Sequence, residues 1–314
     1  MKFNSQRKDE TMKANEIKFG VEVETHVKET NSICNQIGSY RRPLQVSWLP
    51  EGWKVGTDSS IAAYNSQGEA CMPYQLGRKD AEFVSPILVG EEGLKEAYDS
   101  IKDIRDCDWN AKVNKSCGVH VTITFPSDDA AALARLICFF AHHEEGLYAT
   151  TGTKSRKNGR WAKSLNRSAA HAAPKEKTKT AERFAKGDRY HALNLNHLAE
   201  GSNRVEFRLF SGSLSPEKII AWIRLVLAIA EYCLNTDKAV AFSARETKSG
   251  KDYAGRGVGH RNLYRILNKL GWLKMKPWGY RGKDYGNEEI EGLPTIKGMV
   301  KELVRMAKKY DSDC

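Results

Sequence analysis

The chain has 314 residues, 40% apolar and 9% aromatic, enough to bury a substantial core in one large domain or two ordinary ones. Its formal net charge of +11 favours anionic partners such as nucleotides, nucleic acid or acidic substrates. Seven cysteines are dispersed singly without a Cys-x-x-Cys pair, which argues against a zinc ribbon and reads as reduced thiols in a cytoplasm.

In chain order, the polar start MKFNSQRKDETMKANE carries no secretory pattern and reads as a disordered tail over residues 1–15. Residues 17–27, IKFGVEVETHV, alternate apolar and polar as a half-buried strand does. Further strands are predicted at 53–57, 81–85, 118–125, 190–197 and 203–210. An amphipathic helix is predicted at 91–104, and another at 128–148 with Ser127 as its N-cap. Residues 154–189, rich in Lys and Arg and poor in large apolar residues, read as a basic mobile insertion with a short helix near 176–186. Ser215, Pro216 and Glu217 open a dense apolar helix over 216–234. That run contains Arg224 and Glu231 and is short for a membrane span, so no membrane partner is expected. Residues 244–260 and 274–289 read as Gly- and Lys-rich loops, and helices near 261–270 and 295–309 close the chain. Strands mixed with helices, without regular alternation, predict an α+β fold with a mainly antiparallel sheet. The expected division is a main domain over 16–240 and a helical extension over 241–314 packed on it.

Four strands carry a polar stripe. Period-2 geometry puts Glu22 and Glu24 opposite Phe19, Val21 and Val23. In CGVHVTITF it puts His120 opposite Val119 and Val121, in NRVEFRLFSGS Glu206 and Arg208 opposite Val205 and Phe207, and in AEFVSP Glu82 opposite Ala81 and Phe83. A sheet with one wet face alternates in this way routinely. The stripes together, however, are almost all Glu and His, which are ligands of divalent cations, with one Arg suited to phosphate. Residues alone stop at a metal–phosphate site whose members need not share one sheet face.

The ordered set FGVEVE, TDSS, EFVSP, CGVHV, RYHALNL and VEFRLFSGS resembles the amidoligase family, carboxylate–amine ligases related to glutamine synthetase and glutamate–cysteine ligase. The resemblance spans roughly residues 17–235. It implies a glutamine-synthetase-like catalytic domain, a curved antiparallel sheet of about six strands, whose open face holds ATP and Mg²⁺ (or Mn²⁺). It further implies that Glu22, Glu24, Glu82, His120 and Glu206 are metal ligands, with His120, Glu206 and Arg208 catalytic and Arg208 on the γ-phosphate. Asp58 and Ser60 fall where the family binds substrate or metal. Arg189, Asn194 and Asn196 fall near the nucleotide or substrate wall. Thr122 stands where members often carry a second histidine. Arg160 and Lys163, beside Trp161 in the basic insertion, are candidate phosphate contacts.

The implied reaction joins an acid to an amine through an acyl phosphate. The acid and amine could be amino acids, a peptide or protein, a cell-wall piece or a modified nucleobase. Two other readings stay open on the residues: a basic nucleic-acid-binding protein, or a ligase acting on a nucleic-acid-linked group, and a metal-dependent hydrolase on the same cluster. The sequence is silent on oligomeric state. His142 and His143 read as surface or satisfied core, His191 and His197 as core, and Cys117 as a buried thiol rather than a nucleophile.

Overall fold

The computed structural model describes residues 11–126, 128–165, 189–199, 201–236, 258–273, 275–276, 279–280 and 292–313. The alternation over IKFGVEVETHV becomes the central strand of a seven-stranded sheet. Its strands are β1 (Phe19–Lys28), β2 (Leu44–Gln45), β3 (Lys54–Gly56), β4 (Arg78–Val84), β5 (Gly118–Thr124), β6 (Leu193–Asn194) and β7 (Arg204–Ser211). The order is β2-β3-β4-β1-β5-β7-β6, and every neighbouring pair is antiparallel. On one face Phe19, Val21, Val23, Phe83, Val119, Val121, Val205 and Phe207 are buried. The other face carries the polar stripes.

Register turns the stripes into rows across the sheet. Lys18 accepts from the N–H of Thr124 at 2.9 Å, and Thr124 pairs with Arg204. Gly20 pairs with Thr122, which pairs with Glu206. Glu22 pairs with His120, and Glu24 with Glu82. Opposite His120 the register shifts: Val121 pairs with Phe207 but Val119 pairs with Phe210, so Arg208 and Leu209 together face one residue. This β-bulge keeps Arg208 on the polar face and lets both Leu209 and Phe210 turn into the core.

Five longer helices back the sheet: α1 (Gly90–Asp106), α2 (Ala130–Ala149), α3 (Pro216–Asn235), α4 (Val258–Lys269) and α5 (Ile296–Ser312). In α1 the buried residues Leu94, Ala97, Ile101 and Ile104 recur at helical spacing. Helices α2 and α3 are buried on almost every side, because α4 packs on α2 and α5 on both. Phe140 meets Phe207 of the sheet at 5.9 Å between ring centroids, and Trp222 stacks on Phe210 at 4.9 Å. Ser215 caps α3 by accepting from Lys218 N–H at 3.4 Å. No helix among the described residues is long and apolar enough to cross a membrane.

Several expectations change. Helix α2 begins at Ala130, with Asp129 rather than Ser127 as its cap; Asp129 Oδ1 accepts from Ala132 N–H at 2.8 Å. The strand predicted over 190–197 contracts to Leu193–Asn194. There the Asn194 side chain accepts from Asn196 N–H at 3.0 Å, turning the chain into a short helical turn, Asn196–Ala199. His191 and His197 are consequently half-buried rather than core. Short pairings that no periodicity marks also form: β2 against β3, Ala63–Tyr64 against Ala70–Cys71, and Met275–Lys276 against Gly279–Tyr280. Met12, in the predicted tail, exchanges hydrogen bonds with the Asn235 side chain at 3.1 and 2.6 Å. The helix expected near 176–186 and most of the basic insertion lie outside the described residues.

Trp222 is 1% exposed, and its Nε1 donates to Thr150 O at 3.0 Å. Trp222→Ala should cost about 3–5 kcal/mol through the cavity it leaves, read as a lower denaturant midpoint with an unchanged slope.

Candidate active site

The centre of the polar face is an imidazole among carboxylates. His120 Nδ1 lies 3.0 Å from Glu22 Oε2 and 3.4 Å from Glu206 Oε1, and its Nε2 lies 3.3 Å from Glu24 Oε1. His120, Glu24 and Glu206 are 2%, 3% and 4% exposed. Backbone and side-chain donors hold the acids from behind. Glu24 Oε2 accepts from Gly118 N–H at 2.5 Å, and Glu206 accepts from Asn194 Nδ2 at 2.7 Å and from Arg208 at 2.6 Å.

Two ligand groups result, Glu22–His120–Glu206 and Glu24–Glu82–His120, each with donor atoms within 4.8 Å of one another. Ligands sharing one Mg²⁺ at about 2.1 Å stand up to about 4 Å apart, so small side-chain movements suffice. Among the described residues His120 Nε2 is buried and makes no hydrogen bond, so it is open to an ion. The donor set, carboxylate oxygen with one imidazole, fits Mg²⁺ or Mn²⁺.

Burial and crowding also shift the titration of these groups. Desolvation, followed by repulsion from Glu22, Asp58 and Glu24, pushes the Glu82 carboxyl up to about 9. Desolvation raises Glu22 as well, against the pull of Arg208. His120 is lowered to about 4, first by burial and then by Arg208, so it is neutral at pH 7.

Above this floor opens a polar cavity of about 480 Å³. Glu22, Glu82, His120 and Arg208 form its base, and Asp58, Ser60, Arg160 and Arg189 line it with Tyr40, Trp161 and Tyr190. Asp58 Oδ1 accepts from Ser60 N–H at 2.8 Å, which fixes that loop. Arg160 lies 4.0 Å over the Trp161 ring and Arg189 5.0 Å over Tyr190, a cation–aromatic wall facing the acidic floor. Three predicted contacts are not among the lining residues. Asn194 is buried against Glu206, Asn196 gives its N–H to Asn194, and Lys163 pairs through its backbone with Tyr190 and Ala192 while its side chain is exposed.

Arg156, which no sequence pattern marks, also belongs to the site. It is 3% exposed, and its NH2 donates to Arg208 O at 2.7 Å. Glu24 is the largest of the charges that favour its protonated form against burial. Its guanidinium lies flat on Gly118, where a Cβ would fall 2.7 Å from NH2. Gly118 leaves room for this contact, and its N–H donates to Glu24. The only trace in the sequence is the glycine before His120; Arg156 itself is hidden in the basic run KSRKNGR.

Two outcomes follow. Protonated Glu82 stabilises the fold below its ordinary value of 4.5, and that stability is lost as pH rises toward 9. In chelator-treated protein the Tm should fall across that window, and Glu82→Gln should flatten the slope. Gly118→Ala should displace Arg156 and cost about 1–3 kcal/mol in chemical unfolding, as overpacking does.

No curated protein matches the chain. A family model described as putative amidoligase enzyme matches residues 15–230, which include every strand of the sheet, the acidic floor and most of α3. The match takes in the Glu-x-Glu strand, the Gly-x-His strand and the Glu-x-Arg strand that together build the site, and the chain belongs to the amidoligase family.

Proposed function

We propose that this amidoligase is an ATP- and Mg²⁺-dependent carboxylate–amine ligase with a glutamine-synthetase-like catalytic fold, working through an acyl phosphate. The observation that carries the reading is the floor of buried carboxylates around a neutral imidazole, beneath a polar cavity rimmed by arginine. A free carboxylate resists an amine because its leaving group is oxide. Transfer of the γ-phosphoryl group breaks phosphorus from the β,γ-bridging oxygen, bonds it to a carboxylate oxygen and releases ADP. The amine then forms the C–N bond, inorganic phosphate departs with the C–O bonding pair, and the amine proton passes to a base.

Phosphoryl transfer depends on positioning and on neutralising charge. Glu22, Glu24, Glu82, Glu206 and His120 would hold Mg²⁺ or Mn²⁺, which when bound neutralises the phosphate oxygens. Arg208, clamped by Glu206 at 2.6 Å, faces the cavity and is the group that meets the transferring phosphoryl oxygens. Asn194 and Arg156 act as positioning residues, the first on Glu206 and the second on the Arg208 backbone. Arg160 and Arg189 bind the remaining anionic oxygens, and Asp58 and Ser60 meet the acid or the amine.

ADP release, with hydroxylamine trapping the acyl phosphate as hydroxamate, tests the reading across panels of acids. Wild type should release ADP only when acid, ATP and Mg²⁺ are all present. Arg208→Ala should lower kcat by about 10²–10³ with its fold intact by circular dichroism. Glu22→Gln should weaken the Mg²⁺ dependence and lower turnover in parallel. Turnover without ATP would favour a hydrolase. Tight DNA binding with a steep salt slope, and no response to ATP, would sink the ligase reading.

A further inference from the structure

A second cavity lies on the same face beyond Glu22. It holds about 150 Å³, and Lys18, Gly20, Glu22, Thr122, Thr124 and Arg204 line it together with Ser85, Pro86 and Ile87. It shares Glu22 with the catalytic cavity but none of the Arg160–Trp161–Arg189 wall. We propose that this groove is the acid subsite, and that it selects an elongated acid bearing a second anionic group far from the reacting carboxylate. The inference rests on the ligase reading for its chemistry.

The rows of the sheet carry the argument. Glu22 and His120, with Arg208 facing His120 through the bulge, form the reacting row. The next row is Gly20, Thr122 and Glu206; the first two are small, and the Glu206 carboxylate is buried and held by Asn194 and Arg208. The row after that, Lys18, Thr124 and Arg204, offers two cations around a hydroxyl. Same-face rows are about 7 Å apart, so the backbone of this row lies about 14 Å along the strands from Glu22, and the long side chain of Arg204 shortens that span, its charge acting on the Glu22 carboxyl. An acid with its reacting carboxylate at Glu22 therefore lies over Gly20 and Thr122 and places its far end between Lys18 and Arg204. Pro86 and Ile87, the latter 79% exposed, give an apolar flank for the chain between. The same cations repel a protonated amine, so the groove belongs to the acid and not to its partner substrate.

Gly20 is the independent sign that something passes there. Its φ lies outside the left-handed region, and an added Cβ would find nothing closer than Ser85 Oγ at 3.6 Å. Neither the backbone nor any neighbour demands a glycine. A glycine inside a strand weakens the strand, and its remaining use is to let another group approach closely. Thr122, its cross-strand partner, keeps the same floor low.

The test compares suberate, a long dianion, with glutarate, a short one, and octanoate, a long monoanion. Each is assayed by ADP release with hydroxylamine as the amine, and by ligand-observed NMR without ATP. Suberate should exceed both others by about tenfold in kcat/KM. The double variant Lys18→Gln/Arg204→Gln should erase that advantage through KM, with the KM for ATP unchanged. Gly20→Val should abolish suberate binding, while Gly20→Ala retains the wild-type Tm and shows that the strand accepts a side chain. Equal use of glutarate and suberate, or indifference of suberate to Gly20→Val while ADP is still released, overturns the subsite and leaves the ligase reading standing. Suberate binding that Gly20→Val abolishes, in a protein that releases no ADP with any acid, upholds the subsite and removes the ligase reading. Failure of suberate to bind wild type also overturns the proposal.

Discussion

Everything on the open face of this sheet depends on keeping acidic groups buried beside one imidazole. Glu24 and Glu206 are nearly inaccessible to water, yet each lies within 3.4 Å of His120. Burial on that scale is costly for carboxylates unless fixed donors replace water. The replacement comes from the rigid parts of the fold: a strand N–H at Gly118, a buried amide at Asn194 and a guanidinium at Arg208. The back of the sheet carries the compensating burial, with aromatic pairs such as Phe210–Trp222 and Phe140–Phe207 fixing the strands against the helices. A strained polar layer is thus mounted on a large apolar one, and neither face can shift register without disturbing the other.

That coupling explains what could be read from the sequence. A period of two assigns Glu22, Glu24, Glu82, His120 and Glu206 to faces, and the structure puts them on one face because antiparallel neighbours share a face once register is set. Register itself is non-local, so parity could not show that the stripes converge. Arg208 was assigned to the right face by parity, but the bulge that gives it its place opposite His120 has no local signature. The family resemblance puts Asn194 near the nucleotide or substrate wall. Its side chain in fact ends the strand and then turns to Glu206. Arg156 was invisible because a charge run gives no clue which member is buried.

The two arginines that matter most differ in how they are held. Arg208 is paired with a carboxylate and faces the cavity; Arg156 is enclosed, with its Nε lacking a partner among the described residues. A buried guanidinium cannot relieve its cost by losing a proton, so it must be balanced by charge nearby. Glu24 is that charge. The acid at the floor therefore answers to a fixed guanidinium on its own face of the sheet as well as to any cation in the cavity.

The shared position of His120 in both ligand groups has a further consequence. A neutral imidazole carries one proton and one lone pair, on opposite nitrogens. Nδ1 faces Glu22 and Glu206, while Nε2 faces Glu24. Whichever tautomer is present, the ring can serve as a metal ligand in only one of the two groups, and in the other it presents a hydrogen-bond donor to a carboxylate. Two ions on this floor would accordingly be chemically unequal, one bound by oxygen alone and one by oxygen and nitrogen, with a single ring proton deciding which is which.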